Sequence, residues 1–587
     1  MGNNEFIFEP LKEYDKYQEK NLNIIKEYFD NLIATSKVDI EENKQQVIKI
    51  NKKQAELNKS NSSLKKLRIW FITNIVLICL TGVLGAAFIY SLVTNPTYKW
   101  YEVLVCVIDL ILFIVFILIH FLVINKKKKE ALNAKDKQQA ELNQLIEVGL
   151  EQTKSLRELI KIGTKNKLLT LTMPFIHLNR HLGSNKLNKL IYEYGFLNSS
   201  SDDTKTTVYV KSGTINNNYF LLTKDYSYEI VKKTYHGSLT ISWTESYTDS
   251  NGNWKTVTKT QVLTASVTKP FVQFSDFSKI CFATDIAPNL EFYRKPQQID
   301  KLSEKEKVKL EKQIEKELKK YSQKNINFTP LSNTKFESFW SCFDRNNERE
   351  FRLLFTPLAQ NNLVQLVQDH NKSFGDDYHM LKENKLVIFA TEKLNEINFY
   401  DNEDQYQHYS IEHIKNYFYS INKNYFKTFY WALAPYFSIP SLAQVNLEYK
   451  DNPETNLTLT DYEYEVCANS IPSELLDHPN IKTNSIIKTQ LIAKKDDTDY
   501  VQATSIGFDI IPRIDYIPVW GGDGSYHDVP VPWDEYIAYD KITNLKIKIF
   551  KHSPIDNELW DQEVEAKYNE NDILTEYGAV EIIEQEI

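Results

Sequence analysis

Cysteine, glycine and methionine are scarce in this chain of 587 residues, which has five cysteines, 16 glycines and three methionines. The cysteines are Cys79, Cys106, Cys281, Cys342 and Cys467, and none belongs to a Cys-x-x-Cys pair. Isolated cysteines provide neither a disulfide framework nor a zinc site, and they are typical of a reducing compartment.

Nucleotide-binding and hydrolase motifs are also missing, because the chain has no Gly-x-x-x-x-Gly-Lys-[Ser/Thr], Gly-x-Ser-x-Gly or Gly-x-Gly-x-x-Gly pattern. His177 and His181 are four residues apart, which is the spacing of two metal ligands on one helix face. No His-Glu-x-x-His motif accompanies them, so we interpret them as interfacial histidines. We expect no catalytic residue, no cofactor and no bound metal, although an enzyme with an unrecognised site stays an alternative.

The formal net charge is −8, and basic residues are concentrated at only a few places. Phosphate binding needs clustered lysine and arginine, so nucleic acid is not expected as a partner. The abundance of lysine, asparagine, isoleucine and tyrosine is typical of an AT-rich bacterial genome. We also expect no cleavable signal peptide, because the first residues lack an apolar core.

Two long apolar runs are present, at 69–93 and 103–124. Each exceeds the roughly 20 residues that a helix needs to cross a bilayer. Only a short segment with an Asn95-Pro96 turn separates them, which predicts a transmembrane helical hairpin.

Lysine and arginine flank this hairpin asymmetrically. Lys65, Lys66 and Arg68 precede it and 126–129 are all lysine, whereas the connecting loop has only Lys99. The positive-inside rule then predicts a two-pass protein of the plasma (inner) membrane with both termini in the cytoplasm.

Asp109 is a carboxylate within the second apolar run, at the depth of Gly85 and roughly 12 Å from the interface at 1.5 Å per residue. Such a residue is expected to face protein, and Thr81 and Gly85 belong to a small-residue face that allows close helix approach. We favour a polar packing contact, and an oligomeric pore or transport subunit is the alternative. His120 lies near the cytoplasmic end, where snorkelling accounts for it.

Polar, helix-favouring arms flank the hairpin at 11–66 and 126–162. Their apolar residues recur at spacings of three, four and seven, which predicts coiled-coil-like helices continuous with the spans and a possible homo-oligomer through them. Both arms contain the string Gln-Ala-Glu-Leu-Asn, at 54–58 and at 139–143, so they are candidates for an antiparallel stalk.

The rest of the chain predicts an α+β region that is large and β-rich, and we place it in the cytoplasm. The predicted domains are an N-terminal helical arm at 1–68, the hairpin at 69–124, a second helical arm at 125–165, a helical linker and β-rich domain at 166–300, an α+β domain at 301–440 and a β-rich C-terminal domain at 441–587. The predicted elements include a long β-hairpin with Asn251-Gly252 at its tip, a helix capped by Ser303, a strand at 350–355, a helix beginning after Thr356, a helix at 411–436 that ends at Pro435, and β-structure from Leu447 onward.

A second β-turn is predicted at 521–524, between segments that contain Trp520 and Trp533. The acidic residues there lack the spacing of a calcium-binding loop. These two tryptophans are a candidate interaction surface if they are exposed, and burial is the favoured alternative.

Residues 336–389 carry Phe336-x-x-Phe339, then Glu348-x-Glu350-Phe351-Arg352-Leu353-Leu354-Phe355-Thr356-Pro357, and then Asn384-Lys385-Leu386-Val387-Ile388. With 274–279 upstream, this stretch resembles a bacterial family of two-pass membrane proteins known only as a domain of unknown function. The resemblance covers roughly 270–390 and implies architecture, with no reaction or ligand. The sequence therefore predicts a membrane-anchored scaffold or interaction module that binds a protein partner.

We predict that an impermeant thiol reagent applied to intact cells labels a cysteine placed at Thr97 and leaves one placed at Ser201 unlabelled. The reason is the lysine asymmetry across the hairpin. Labelling at Ser201 in unbroken cells would contradict the predicted orientation.

Overall fold

The fold is described from a computed structural model, which describes residues 6–94, 100–196, 202–248, 250, 252–325, 328–399, 403–444, 458–552, 557–569 and 572–583. The chain divides into two compact units. The first unit comprises Met1–Ile25, Ile162–Asp401 and Ile421–Ile587, and the second comprises Lys26–Lys161 and Asn402–Ser420. The Asn95-Pro96 turn and Asn251 lie outside the described residues.

The second unit consists mainly of long helices, and the first of them begins within the first unit. Helix α1 is Pro10–Ser36, α2 is Ile40–Thr94, α3 is Trp100–Leu118 and α4 is Lys126–Glu158, with a π-helical segment at Ile119–Asn125 between the last two. Two helical stretches, Ile40–Ser91 and Val103–Glu158, are long and apolar enough to span a membrane by length and composition. The predicted helical continuity between arm and apolar run is therefore confirmed on both sides of the hairpin.

The prediction of one helix over 11–66 is wrong, because α1 ends at Ser36 and α2 begins at Ile40. Lys37 adopts a φ of 54°, in the left-handed region that a helix cannot continue through. Asp39 then caps α2, since its Oδ1 accepts the N–H groups of Glu41 and Glu42, each at 2.9 Å. Spacing alone missed this break, since the polar residues at the junction also suit a helix.

Helices α2 and α4 pack antiparallel. Ile50, Leu57 and Leu142 form a buried cluster between them. Lys53 Nζ lies 2.5 Å from a carboxylate oxygen of Glu141, and Ser60 Oγ donates to Gln138 at 2.7 Å. The helices of the arms thus face each other along much of their length.

The repeated Gln-Ala-Glu-Leu-Asn strings occupy equivalent positions in this pair. In each string the glutamine donates to the asparagine one turn later, at 3.2 Å for Gln54–Asn58 and 2.9 Å for Gln139–Asn143. The leucine of each string, Leu57 or Leu142, belongs to the same buried cluster. The repeat therefore has a packing role, while coiled-coil geometry and assembly through the arms stay predictions.

The first unit contains a seven-stranded antiparallel sheet in the order β1-β2-β3-β4-β7-β6-β5. Its strands are Ile176–Leu178, Lys205–Ile215, Asn218–Thr248, Trp254–Ala283, Phe292–Arg294, His379–Glu383 and Leu386–Ala390 for β1 to β7. Strand β4 pairs directly with β7, so this one sheet crosses the domain boundary predicted near residue 300.

The second sheet has five antiparallel strands in the order β11-β12-β10-β9-β8. Its strands are Ile486–Lys495, Thr498–Trp520, Tyr526–Ile549, Ile573–Leu574 and Gly578–Ile583 for β8 to β12. Together with the helices around them, the two sheets make the soluble part an α+β structure.

Helices α5 to α16 surround the sheets, except that α12 also contributes its first residues to the second unit. In chain order they are Thr164–Thr172, Ser184–Tyr192, Glu304–Lys324, Thr334–Trp340, Glu348–Leu354, Pro357–Gln368, Glu392–Asn395, Ile411–Ser438, Pro440–Gln444, Asp461–Asn469, Ser473–Leu476 and Asn557–Lys567. The predicted caps are confirmed, since Ser303 and Glu306 form a capping box on α7 and Thr356 caps α10.

The strand predicted at 350–355 is wrong, because these residues belong to helix α9 and its C-terminal end. Asn347 caps the helix by accepting the N–H of Glu350 at 3.2 Å. Phe351 and Leu354, three residues apart, are both fully buried on one face. A short apolar run of this kind fits a strand or a helix, and packing decides between them.

Two predictions about the later part of the chain also need correction. Helix α12 continues through Pro435 to Ser438, where Tyr430, Trp431 and Phe437 are buried in the main core. The chain after Leu447 begins with helices α14 and α15 in its described residues, and β-structure starts only at Ile486. Core packing outweighs the cost of the missing proline N–H in α12.

Candidate functional sites

Two β-hairpins of the first unit extend far beyond their sheets. Strand β2 pairs with β3 as far as Ser227, and β7 pairs with β4 as far as Lys279. Beyond those points, in the described part of the chain, β3 and β4 pair only with each other. In the second sheet, β8 pairs with β9 only as far as Ile506, and β12 pairs with β10 only from Asn544 onward. Between these points β9 and β10 pair only with each other in the described part of the chain. We call these extensions, 228–278 and 507–543, the paired ribbons.

The paired ribbons pack face to face around a small apolar cluster. Ile241, Leu263 and Val529 are buried in it, with Trp243 and Val519 packed beside them. The backbones approach closely at Gly237, where a Cβ atom would overlap the backbone of Pro530. Polar contacts support the cluster, because Lys269 Nζ lies 2.7 Å from Asp515 Oδ2 and the N–H of Gly522 donates to Gln261 Oε1 at 2.7 Å.

The two outer faces of the ribbons differ sharply in chemistry. The outer face of the β3–β4 ribbon is exposed and almost entirely hydroxylic; its residues are Thr234, His236, Ser238, Thr240, Ser242, Thr244, Ser246, Thr256, Thr258, Thr260, Val262, Thr264, Ser266 and Thr268. The outer face of the β9–β10 ribbon is largely apolar; we call its residues Ile514, Tyr516, Pro518, Trp520, Tyr526, Asp528, Pro530 and Pro532 the apolar strip. Alternation along each strand places these residues on one side, away from the buried cluster.

Trp520 and Trp533 lie on different faces of the β9–β10 ribbon. Trp520 is 58% exposed, and its ring centroid lies 5.0 Å from that of Tyr526. Trp533 is half-buried on the inner side, where its Nε1–H donates to Asp515 Oδ1 at 2.9 Å and Lys269 Nζ lies 4.4 Å from its ring. The expectation that both are buried does not hold for Trp520, and only Trp520 contributes to an outer surface.

Asp109 and Gly85 meet between the two apolar helices of the second unit, whereas Thr81 lies on α2 one turn before Gly85. A Cβ atom on Gly85 would lie 2.8 Å from Asp109 Oδ2, so the carboxyl group rests on the glycine backbone. Among the described residues this oxygen is buried and has no hydrogen-bond partner. Thr81 does not bond to it, because its Oγ1 donates to the carbonyl of Leu77 in its own helix at 2.9 Å.

His120 has a specific partner, which snorkelling does not explain. It lies in the π-helical segment, and its Nδ1 is 3.1 Å from Oδ1 of Asn74 on α2. Asn74 is itself buried. A π-helical turn changes the direction of the side chains after it, and here it coincides with a polar contact between the two apolar runs.

His177 and His181 do not share a helix face, which corrects the reading of their spacing. His177 is exposed on strand β1, whereas His181 is buried in the following loop, with Nδ1 3.4 Å from Glu463 and Nε2 3.3 Å from the carbonyl of Phe550. In the described ranges, no group of three or more His, Cys, Asp or Glu side chains is arranged to hold a metal ion.

A buried polar cluster joins α14 to both sheets of the first unit. Glu465 Oε2 accepts the N–H of Thr207 on β2 at 2.6 Å, and its other oxygen contacts Lys488 on β8. Asp225 accepts from the hydroxyl of Thr207 at 3.0 Å. Burial raises the pKa of Glu465 to about 7, against the lowering effect of Lys488, and burial also raises the pKa of Asp225.

Comparison with known proteins gives no relatives: no family model matches the chain, and no curated protein or solved structure is detectably similar to it. The resemblance of 270–390 to a two-pass membrane family therefore stays a prediction. The class that the fold defines is an α+β protein with antiparallel sheets and two long apolar helices.

We predict that Gly85→Ala lowers the thermal stability of the purified chain more than Gly82→Ala does. The new methyl group at residue 85 meets Asp109 Oδ2 at 2.8 Å, whereas at residue 82 it meets a Phe113 ring carbon at 3.3 Å, which a small ring movement relieves. Equal melting temperatures for the two glycine variants would contradict this packing role.

Asp109→Asn should be tolerated, because it removes a carboxylate from an apolar setting and keeps a polar group of the same size.

The Glu465 cluster predicts a pH dependence of the free energy of unfolding. Because the pKa of Glu465 is raised in the folded state, the folded protein binds the proton of this carboxyl group more tightly than the unfolded chain does. Protonated Glu465 therefore stabilises the fold at low pH, and this stabilisation is lost as the pH rises through about 7. Glu465→Gln should remove up to about 3 kcal/mol of the decrease between pH 5 and 8, at 1.36 kcal/mol per pKa unit. Denaturant titrations at pH 5 and pH 8 measure the free energy of unfolding of both proteins. An equal change between the two pH values for the wild type and the variant would contradict the prediction.

Proposed function

We propose that this chain is a two-pass protein of the plasma membrane with both termini in the cytoplasm. In this proposal its α+β region is a non-enzymatic interaction module that binds a protein partner. The observation that carries the proposal is the apolar strip on the β9–β10 ribbon. It is the side of a two-layer structure that is left uncovered after the ribbons have buried their inner faces against each other.

The composition of the apolar strip supports protein binding. Tyr516 is 63% exposed and Tyr526 is 70% exposed, beside the similarly exposed Trp520. Tyrosine and tryptophan combine large contact area with few rotatable bonds, which makes them frequent anchors of protein interfaces. Asp528 lies between them, so the expected partner surface combines apolar pockets with a basic residue.

The strip is also held in shape before any partner binds. Val529 and Val531 alternate with the strip residues and are fully buried on the inner side of the same strand. Four prolines, Pro512, Pro518, Pro530 and Pro532, restrict the backbone of the ribbon. A rigid surface loses little conformational entropy on association, which favours its use as a docking face.

The two apolar helices support the membrane part of the proposal. Their outward side chains are apolar along both runs; Trp70, Val83, Leu110 and Leu122 are examples that are more than half exposed in the absence of lipid. A bilayer is the environment in which such a surface is stable. The lysines that flank the runs favour the cytoplasmic side for both arms.

The contacts of Asp109 favour an anchor over a conduit. Its Oδ2 is enclosed between the two helices of one chain, against Gly85, rather than on an outward face. A residue that lines a pore between subunits needs an outward-facing carboxyl group. The transport alternative has no comparable contact in its favour.

Site-specific photo-crosslinking in the native cells tests the proposal. We expect p-benzoylphenylalanine in place of Ile514, in the apolar strip, to give one discrete adduct with another protein. The same probe in place of Val262 is the matched control, because the two side chains are 54% and 59% exposed on opposite faces of the paired ribbons.

Trp520→Ala should abolish the adduct from position 514 without lowering the amount of protein in the membrane. Adducts of equal yield from positions 514 and 262, or no adduct from position 514, would contradict the apolar strip as a docking surface. Recovery of the chain in the soluble fraction would contradict the membrane part of the proposal alone.

A further inference from the structure

The residues of the long hairpins that direct their backbone N–H and C=O groups to the open edges can be identified where the hairpins leave their sheets. The N–H of Tyr228 donates to the carbonyl of Thr204 on the β2 side at 3.0 Å. Because β3 and β4 keep one register over their whole length, every even-numbered residue of β3 directs its N–H and C=O away from β4. Pro270, opposite Lys232, agrees with this phase, since proline has no N–H to give to a partner strand.

The β9–β10 ribbon protects its open edges with proline. Pro512, Pro518, Pro530 and Pro532 all occupy even-numbered positions. The N–H of Phe508, another even-numbered residue, points away from β10 and donates to Thr483 Oγ1 at 3.0 Å. Proline at these positions removes the outward donors that an additional strand would need, which is a common defence of open edges.

The open edge of β3 has no such protection. From Thr234 to Thr244 it contains no proline, and its outward positions are the exposed residues Thr234, His236, Ser238, Thr240, Ser242 and Thr244. No strand pairs with this edge in the described part of the chain. An open edge of this length without proline is a template for strand addition.

The edge is complementary to itself about Leu239. When two copies of β3 are set antiparallel about that residue, Lys233 of each copy faces Glu245 of the other. The aromatic residues Tyr235 and Trp243 also face each other, as do Thr234 and Thr244. Opposite charges, aromatic pairs and threonine pairs are the three classes of cross-strand neighbour that stabilise a sheet.

The charges on the edge fit this arrangement. Lys233 lies over the rings of Tyr235 and Phe271, and among the described residues no carboxylate is within salt-bridge distance of it. Glu245 already accepts from Trp243 Nε1 at 2.9 Å and lies 2.6 Å from Lys259, and its side chain stays partly exposed. A second cation can therefore reach Glu245 from the side of the open edge.

We propose that β3 of one copy pairs antiparallel with β3 of a second copy about Leu239, so that two chains form a homodimer through a continuous four-stranded sheet. The other edge, β4, suits this less well, because a two-fold axis at Leu263, the residue opposite Leu239, would set Lys259 opposite Val267 and Lys269 opposite Val257 and would pair no opposite charges. The proposal does not depend on the apolar strip or on the membrane topology. It differs from assembly through the helical arms by the residues that hold the dimer together.

A proline scan of one rung tests the proposal on the full-length chain in detergent. Ser238 and Thr264 face each other across the β3–β4 ribbon, and each directs its N–H to a different open edge. Proline at either position keeps the internal hydrogen bonds of the hairpin, as Pro270 does. Light scattering after size exclusion should give a dimer for the wild type and for Thr264→Pro, and a monomer for Ser238→Pro.

A monomeric wild type at micromolar concentration would overturn the proposal. A dimer that survives Ser238→Pro would also overturn it and would favour the helical arms, and a dimer lost only in Thr264→Pro would move the contact to β4. Thermal unfolding of both variants checks that the ribbon persists.

Disulfide trapping covers the case in which proline disrupts the ribbon. A copy with Ser238→Cys and a differently tagged copy with Thr240→Cys are expressed together and oxidised. In the proposed register these residues face each other with Cα atoms about 5.5 Å apart, within the range that a disulfide spans. We expect a cross-linked dimer carrying both tags, and none from a Thr264→Cys and Val262→Cys pair; the reverse result, or no trapping in either, contradicts the proposal.

Discussion

The mutual packing of the paired ribbons is the constraint on which the surface chemistry of the soluble part depends. A two-stranded ribbon in water is marginally stable, because it has no layer against which to bury a face. Here each ribbon provides that layer for the other, and the approach is close enough at Gly237 to exclude a side chain. Once the inner faces are used, the hydroxyl face and the apolar strip are necessarily what solvent or a partner meets.

The helical hairpin solves a similar problem by another route. The arms next to the hairpin bury Leu57 and Leu142 between two helices and pair Lys53 with Glu141. The apolar runs, in contrast, leave many apolar side chains exposed. Between the apolar runs, close contact depends on Gly85 beneath Asp109 and on the Asn74–His120 pair. Small and polar residues are the usual means of joining helices where the hydrophobic effect offers no help.

Several elements were accessible from local chemistry. The Ser303–Glu306 capping box and the Thr356-Pro357 start of a helix were predicted correctly, because caps satisfy donors within one turn and leave a local signature. The long β3–β4 hairpin was recognised from alternation, although its described strands are longer than predicted. The strand assigned to 350–355 was in error, since Phe351 and Leu354 fit either structure until the core that buries them is known.

The sequence by itself determined the two apolar runs, their flanking lysines, the helical arms and the alternating strands, because each is a periodic pattern along neighbouring residues. Only the tertiary structure decided which sides of those strands face outward. Trp520 and Trp533 looked equivalent in sequence, but they lie on opposite faces of the β9–β10 ribbon. The packing of β10 against Gly237 covers the face that carries Trp533 and leaves Trp520 exposed. Likewise, the hydrogen bond between Glu465 and Thr207 joins residues that are 258 positions apart, and the contact of Glu465 with Lys488 adds a strand of the other sheet. Such long-range contacts arise from the sum of many burial energies, which no local pattern encodes.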